Sequence, residues 1–135
     1  MMGIPTIAPV VDGGKSEDVV QQRVRLEAPS KGVLLFRNNV GVLKDITGRP
    51  VRYGLANDSK RMNESVKSAD LIGLRRVLIE PKHVGLVIGQ FVSRECKHEG
   101  WTYGGTEHEV AQLKWVTTIQ AYGGDACFVT GEGSL

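Results

Sequence analysis

The chain has 135 residues, 41% of them hydrophobic and 24% charged, and a formal net charge of +2. That length fits one compact domain and buries a core without disulfide or metal staples. The composition is that of a globular protein, which excludes disordered and fibrous classes, and so small a net charge does not by itself identify a polyanionic partner.

Residues 1–15 hold Pro5, Pro9, Gly13 and Gly14 and no long apolar run. They predict a flexible tail, not a secretory signal, ahead of one domain over 16–131. Ser16 caps a predicted helix to about Ala28, with Val20, Val24 and Ala28 at helical spacing, and Pro29 and Gly32 end it. Residues 33–36 read as a strand, 38–58 as a loop with a turn at Gly48-Arg49-Pro50, and 51–55 as a short strand. Strand pieces are expected at 69–74 and 77–79, a turn at 80–85, and the longest strand at 86–97. After a Gly-rich loop with two aromatics, Thr106 caps a helix to about Tyr122. Gly123-Gly124 ends it and residues 126–130 form a last strand. The expected fold is α/β, a mixed central sheet flanked by helices in helix–three strands–helix–strand order.

Charge is uneven. Residues 37–82 carry ten Lys/Arg against five Asp/Glu, a local +5, whereas 98–135 carry one Lys against five acids, a local −4. The basic part suits a polyanion, although a solvated surface explains it as simply. No stretch is long and apolar enough for a membrane span. Cys96 and Cys127 sit in apolar, strand-like runs and read as reduced core residues of an intracellular, cytoplasmic protein.

The chemistry gathers at Glu95-Cys96-Lys97. Alternation on a strand puts Glu95 and Lys97 on one face and Cys96 on the other, packed inward. His98-Glu99-Gly100 then leave the strand, so the acid and the base sit at an open strand end. Asp70 lies at the mouth of another apolar run. If the two strands pair, Asp70 and Glu95 converge on one divalent cation, and hard oxygens suit Mg²⁺ or Mn²⁺. Lys97 would then stabilise an attacking water or developing negative charge. The spacing alone reads more simply as a surface ion pair, and Glu80-Pro81-Lys82 repeats it; Pro81 assigns that copy to a turn or an edge. The three histidines and two cysteines match no zinc-site spacing.

Six segments together resemble the virus-type replication-repair nuclease (VRR-NUC) group of the PD-(D/E)XK nuclease superfamily, above all its stand-alone bacteriophage members. They are Phe36-Arg37-Asn38-Asn39-Val40-Gly41, Gly48-Arg49-Pro50-Val51-Arg52-Tyr53-Gly54-Leu55, Lys67-Ser68-Ala69-Asp70-Leu71-Ile72-Gly73, Glu95-Cys96-Lys97, Gly100-Trp101, and Thr106-Glu107 leading to Ala111-Gln112-Leu113. They occur in family order. Ala69 replaces the Pro of the superfamily name and Cys96 the usual Val.

The resemblance implies a restriction-endonuclease-like fold and a Mg²⁺- or Mn²⁺-dependent DNA endonuclease. Asp70, Glu95 and the Cys96 backbone carbonyl would hold the metal and Lys97 would be catalytic. Gln112 would support Lys97 or a water, and Glu17 would add a carboxylate. Glu17 also suits a helix start, where negative charge is favoured anyway. Arg37, Asn38, Asn39, Arg49, Arg52 and Lys67 are the candidate DNA contacts, though several equally suit turns. Trp101 and Tyr103 suit base stacking or the core edge, and Trp101 suits the core better. The expected activity is a homodimeric resolvase of four-way (Holliday) junctions. A flap- or end-directed nuclease and a catalytically silent DNA-binding module are the alternatives.

Overall fold

A computed structural model describes residues 16–135, so the expected tail over 1–15 lies outside the described residues. The fold is α/β, and its contacts divide it into two units, one reaching Gly73 and the other Leu74–Leu135.

In the first unit, α1 (Glu17–Glu27) starts where the Ser16 side chain accepts the Val19 N–H, and Glu17 and Asp18 in its first turn complement the helix dipole. Pro29 then sits in a 3-10 turn (Ala28–Lys31), and the chain leaves through Gly32 into β1 (Val33–Arg37). The expected apolar face is only partly packed. Ala28 is buried, while Val20 and Val24 stay 49% and 43% exposed.

The segment 38–58 holds more order than its Gly/Asn/Asp content suggests. β2 (Gly41–Lys44) and β3 (Pro50–Tyr53) form an antiparallel hairpin. Asp45 Oδ1 closes its turn by accepting from the Thr47 and Arg49 N–H groups, both at 2.9 Å, and from the Thr47 hydroxyl. The Thr47 hydroxyl, ahead of the Arg49 N–H, holds the Asp45 carboxyl below the ordinary carboxylate range. A short helix, α2 (Lys60–Ser65), follows under an Ser59 cap. β4 (Leu71–Arg75) begins in this unit and pairs with β1. Gly73 lies so close to the Leu34 carbonyl that any Cβ would collide with it.

The second unit is a parallel β–α–β arrangement. β5 (Val92–Cys96) pairs with β6 (Asp125–Val129) in the register Val92↔Asp125 to Cys96↔Val129. Parallel neighbours need a crossover, and α3 (Glu107–Ala121) supplies it. Thr106 and Glu109 form a reciprocal capping box at its start. At its end Gly123, with φ of 89°, donates to Gln120 O, and Gly124 donates to Ile119 O. Val116, Ile119 and Ala126 form the core where α3 meets this strand pair.

The strands differ from expectation in three ways. Among the described residues they form three two-stranded ladders, β1–β4, β2–β3 and β5–β6, in place of one central sheet. Five strands precede α3, with α2 among them, not three. Residues 77–79 and 86–91 are not strands. The apolar run over 86–91 is interrupted by Gly89, and ordered pairing starts only at Val92. Cys96 also departs from its expected core place. It is exposed, on the face of β5 that carries Arg94, whose guanidinium bonds Asp125 and Ser134; Cys127 is half-buried.

Candidate active site

The second unit brings Glu95, Lys97 and Gln112 into one hydrogen-bonded chain. Alternation along β5 sends Ser93, Glu95 and Lys97 toward α3, and the Lys97 N–H continues the ladder by donating to Val129 O at 2.8 Å. Three residues anchor the helix on that face. Trp115 Nε1 donates to Ser93 Oγ at 2.9 Å. Gln112 Nε2 donates to Glu95 Oε1 at 2.7 Å. Lys97 Nζ donates to Gln112 Oε1 at 2.7 Å. The amide is oriented by its neighbours, because the reverse orientation would set its NH₂ against an ammonium and its carbonyl against a carboxylate.

This arrangement keeps the acid and the base apart while fixing both. Gln112 spans them, so Glu95 and Lys97 do not collapse into an ion pair. One amide N–H occupies Glu95 Oε1, and no hydrogen bond among the described residues occupies Oε2. One of the three ammonium hydrogens of Lys97 is used by Gln112. The other Glu-x-Lys copy is different. Lys82 Nζ lies 3.2 Å from Glu80 Oε2, with the side chains 74% and 46% exposed, at a 3-10 turn (Pro81–His83).

An aromatic wall flanks Lys97. Its Nζ is 5.4 Å from the Trp101 ring centroid and 5.9 Å from that of Phe128, within cation–π reach. Trp101 stacks on Phe128 at 5.0 Å, and Tyr103 meets both rings edge-on. Sequence reasoning gives no role to Phe128 or Glu109. Phe128 stands opposite Glu95 in the β5–β6 register, a pairing that sequence does not reveal. Glu109 is buried, and the Thr106 backbone N–H holds its carboxyl below the ordinary range against the opposing effect of burial; the Thr106 hydroxyl, Trp101 and Gly104 assist. Its signal in the sequence is the three-residue spacing from Thr106.

The remaining candidates lie in the first unit. Asp70 is exposed at a bend directly before β4, and its carbonyl accepts the Asn38 N–H at 2.8 Å. Glu17 is exposed in the first turn of α1. Arg37 and Asn39 are exposed around the end of β1. Asn38 turns inward instead. Its Nδ2 donates to Ser68 Oγ and Ala69 O, both at 2.8 Å, and its Oδ1 accepts the Leu55 N–H, so it ties the approach to Asp70 in place. Arg49 has a side chain 82% exposed, 3.6 Å from Asp45. Arg52 Nη1 donates to Asn57 Oδ1 at 2.8 Å, and Lys67 Nζ donates to Asn63 Oδ1. Asn57 is buried and also bonds Gly41 O and Tyr53 O, so the half-buried Arg52 supports the hairpin.

Glu95 and the Cys96 carbonyl in the second unit, and Asp70 in the first, are each oxygen donors of the kind a hard divalent cation takes. Among the described residues no three His, Cys, Asp or Glu side chains gather in a metal-binding cluster. No helix there is long and apolar enough to cross a membrane. No protein-family model, curated protein or solved structure matches the chain.

Proposed function

We propose that the protein is a metal-dependent deoxyribonuclease of the PD-(D/E)XK type, with a restriction-endonuclease-like fold, that hydrolyses phosphodiester bonds in structured DNA. The observation that carries this reading is the Glu95–Gln112–Lys97 chain. A chance surface pair would put Lys97 against Glu95. Here a half-buried amide holds each at its own place, beside an open strand end.

Glu95 and the Cys96 carbonyl beside it would hold Mg²⁺ or Mn²⁺, and Asp70 would be the second acidic ligand that the resemblance implies. When bound, the ion neutralises phosphate charge and acidifies water. Lys97 uses its remaining ammonium hydrogens to orient the attacking water or to stabilise the charge growing on a phosphoryl oxygen. The water oxygen bonds to phosphorus, the bond to the leaving deoxyribose oxygen breaks, the water proton passes to solvent and the leaving oxygen takes one up. Gln112 holds Lys97 and Glu95 in register, so little reorganisation is needed as charge develops. The basic segment 37–82 supplies phosphate contacts through Arg37, Arg49, Arg52 and Lys67.

The finer reading is a homodimer acting on four-way junctions. One site cuts one strand, and a two-fold pair places two sites on a symmetric branched substrate. The test is a panel of labelled four-way, flapped and linear DNA with Mg²⁺ or Mn²⁺. Paired, symmetric nicks in the four-way substrate are expected. Cutting of flaps alone removes the junction reading, and no cutting of any substrate removes the nuclease reading.

A further inference from the structure

We infer that Glu109 is a positioning residue that holds Lys97 in place through Trp101, an assignment that rests on Lys97 being the reactive amine proposed above. Glu109 is only 7% exposed although it is a carboxylate. Its Oε1 accepts the Thr106 N–H at 3.1 Å and the Gly104 N–H at 3.2 Å, and its Oε2 accepts Trp101 Nε1 at 2.8 Å. Capping α3 requires only the Thr106 pair. The bonds to Gly104 and Trp101 are additional, and they tie the loop over 101–106 back to the helix start, which fixes the indole.

That fixed indole is the wall beside Lys97. Trp101 stacks on Phe128 and stands 5.4 Å from Lys97 Nζ. A lysine stem has several rotamers of similar energy, and each bond made at its tip must offset their loss. Gln112 Oε1 holds the ammonium from one side and the indole limits it on the other. Glu109 and Gln112 are three residues apart on α3 and so share a helix face. One helix thus supplies both restraints, the direct one through Gln112 and the indirect one through Glu109 and Trp101.

The test reads Lys97 directly, by NMR of its side chain in the full chain and in Glu109→Gln, Trp101→Phe and Ser93→Ala. Trp101→Phe keeps the bonds of Glu109 to Gly104 and Thr106 but changes the ring that displaces the Lys97 resonances, so there the readout is the order of the Lys97 side chain from NMR relaxation, which answers the question even if Glu109→Gln fails to fold. Ser93→Ala removes the acceptor of Trp115 on the same strand and is the matched packing control. The Lys97 methylene resonances, displaced by the neighbouring rings, are expected to move toward free-lysine positions in Glu109→Gln and to stay in Ser93→Ala, and the Lys97 side chain is expected to lose order in Trp101→Phe. On DNA, kcat should fall about ten- to a hundredfold in those two variants with KM little changed, as misplacement of a reacting group predicts. Unmoved Lys97 resonances in a folded Glu109→Gln, unchanged Lys97 side-chain order in Trp101→Phe, or equal movement in Ser93→Ala overturns the inference. Lys97 resonances that move in a protein that cuts no DNA uphold the positioning role and remove the nuclease reading instead.

Discussion

Gln112 Oε1 lies 2.7 Å from Lys97 Nζ, a bond that joins the middle of α3 to the residue just past the end of β5. Its other amide atom is committed to Glu95, so the side chain cannot serve one partner without holding the other. Gln112→Ala should therefore free both groups. Cleavage should fall about ten- to a hundredfold, the usual loss when a group that supports the reacting residues is removed. Gln112→Glu should do worse, because it sets a second carboxylate against Glu95. Single-turnover rates for the two variants check the order.

The two Glu-x-Lys copies make opposite predictions. Lys97→Ala should lower the rate by at least about a hundredfold while the far-ultraviolet spectrum and DNA affinity stay near wild type. Lys82→Ala should leave the rate unchanged, since Lys82 is an exposed partner of Glu80. An inactive Lys82 variant beside an active Lys97 variant would reverse the assignment of the site.

Metal binding tests the acidic pair. Glu95→Gln and Asp70→Asn should each weaken Mg²⁺ and Mn²⁺ binding in calorimetry and stop turnover. Unchanged metal affinity in both variants would remove them as ligands.

The acid limb of the stability curve should report Glu109. Its folded-state carboxyl is held below its ordinary value, first by the Thr106 backbone N–H. The stabilisation is thus fully present above the unfolded value and is lost as pH falls through the lower, folded one. Thermal melts between pH 7 and pH 3 should show the wild type losing this contribution on acidification. Glu109→Gln, which has no such proton to take up, should lack that part of the slope.

Much of this was legible in the sequence where the signal is local. The caps at Ser16 and Thr106 and the Gly123 stop act over a few residues, and α1 and α3 form at their expected places; Glu95 and Lys97 share a face as expected, but β5 is only Val92–Cys96 and Cys96 is exposed. The inward face of Gln112 follows from its spacing with Val116 and Ile119 on α3. What escaped depends on distant partners. β2 is four residues with Gly41 and Lys44 at its ends, and only pairing with β3 and the Asp45 turn make it a strand. Residues 86–91 are apolar enough for a strand, but apolarity supplies no ladder partner. The wall of Trp101 on Phe128 joins a loop to a strand that pairs across the α3 crossover.

The candidate DNA contacts separate by the same logic. Arg37→Ala should weaken DNA binding and make its salt dependence shallower by about one unit per lost phosphate contact, without a change in melting temperature. Asn38→Ala should instead cost about 0.5–1.5 kcal/mol of stability for each hydrogen bond it removes, those to Ser68, Ala69 and Leu55. Thermal melts read beside binding isotherms at several salt concentrations distinguish the two.

The oligomeric state follows from the junction reading. Light scattering at micromolar concentration should return about twice the 14.7 kDa chain mass. A monomer would remove the symmetric two-site account and leave single-strand hydrolysis by one site.

The most direct test of the account is cleavage of labelled four-way DNA by wild type and Lys97→Ala, each with Mg²⁺, with Mn²⁺ and with EDTA. The account predicts cutting by the wild type with either metal, none with EDTA, and none above background by Lys97→Ala under any condition. Cutting that survives EDTA, or that Lys97→Ala performs at the wild-type rate, would contradict it.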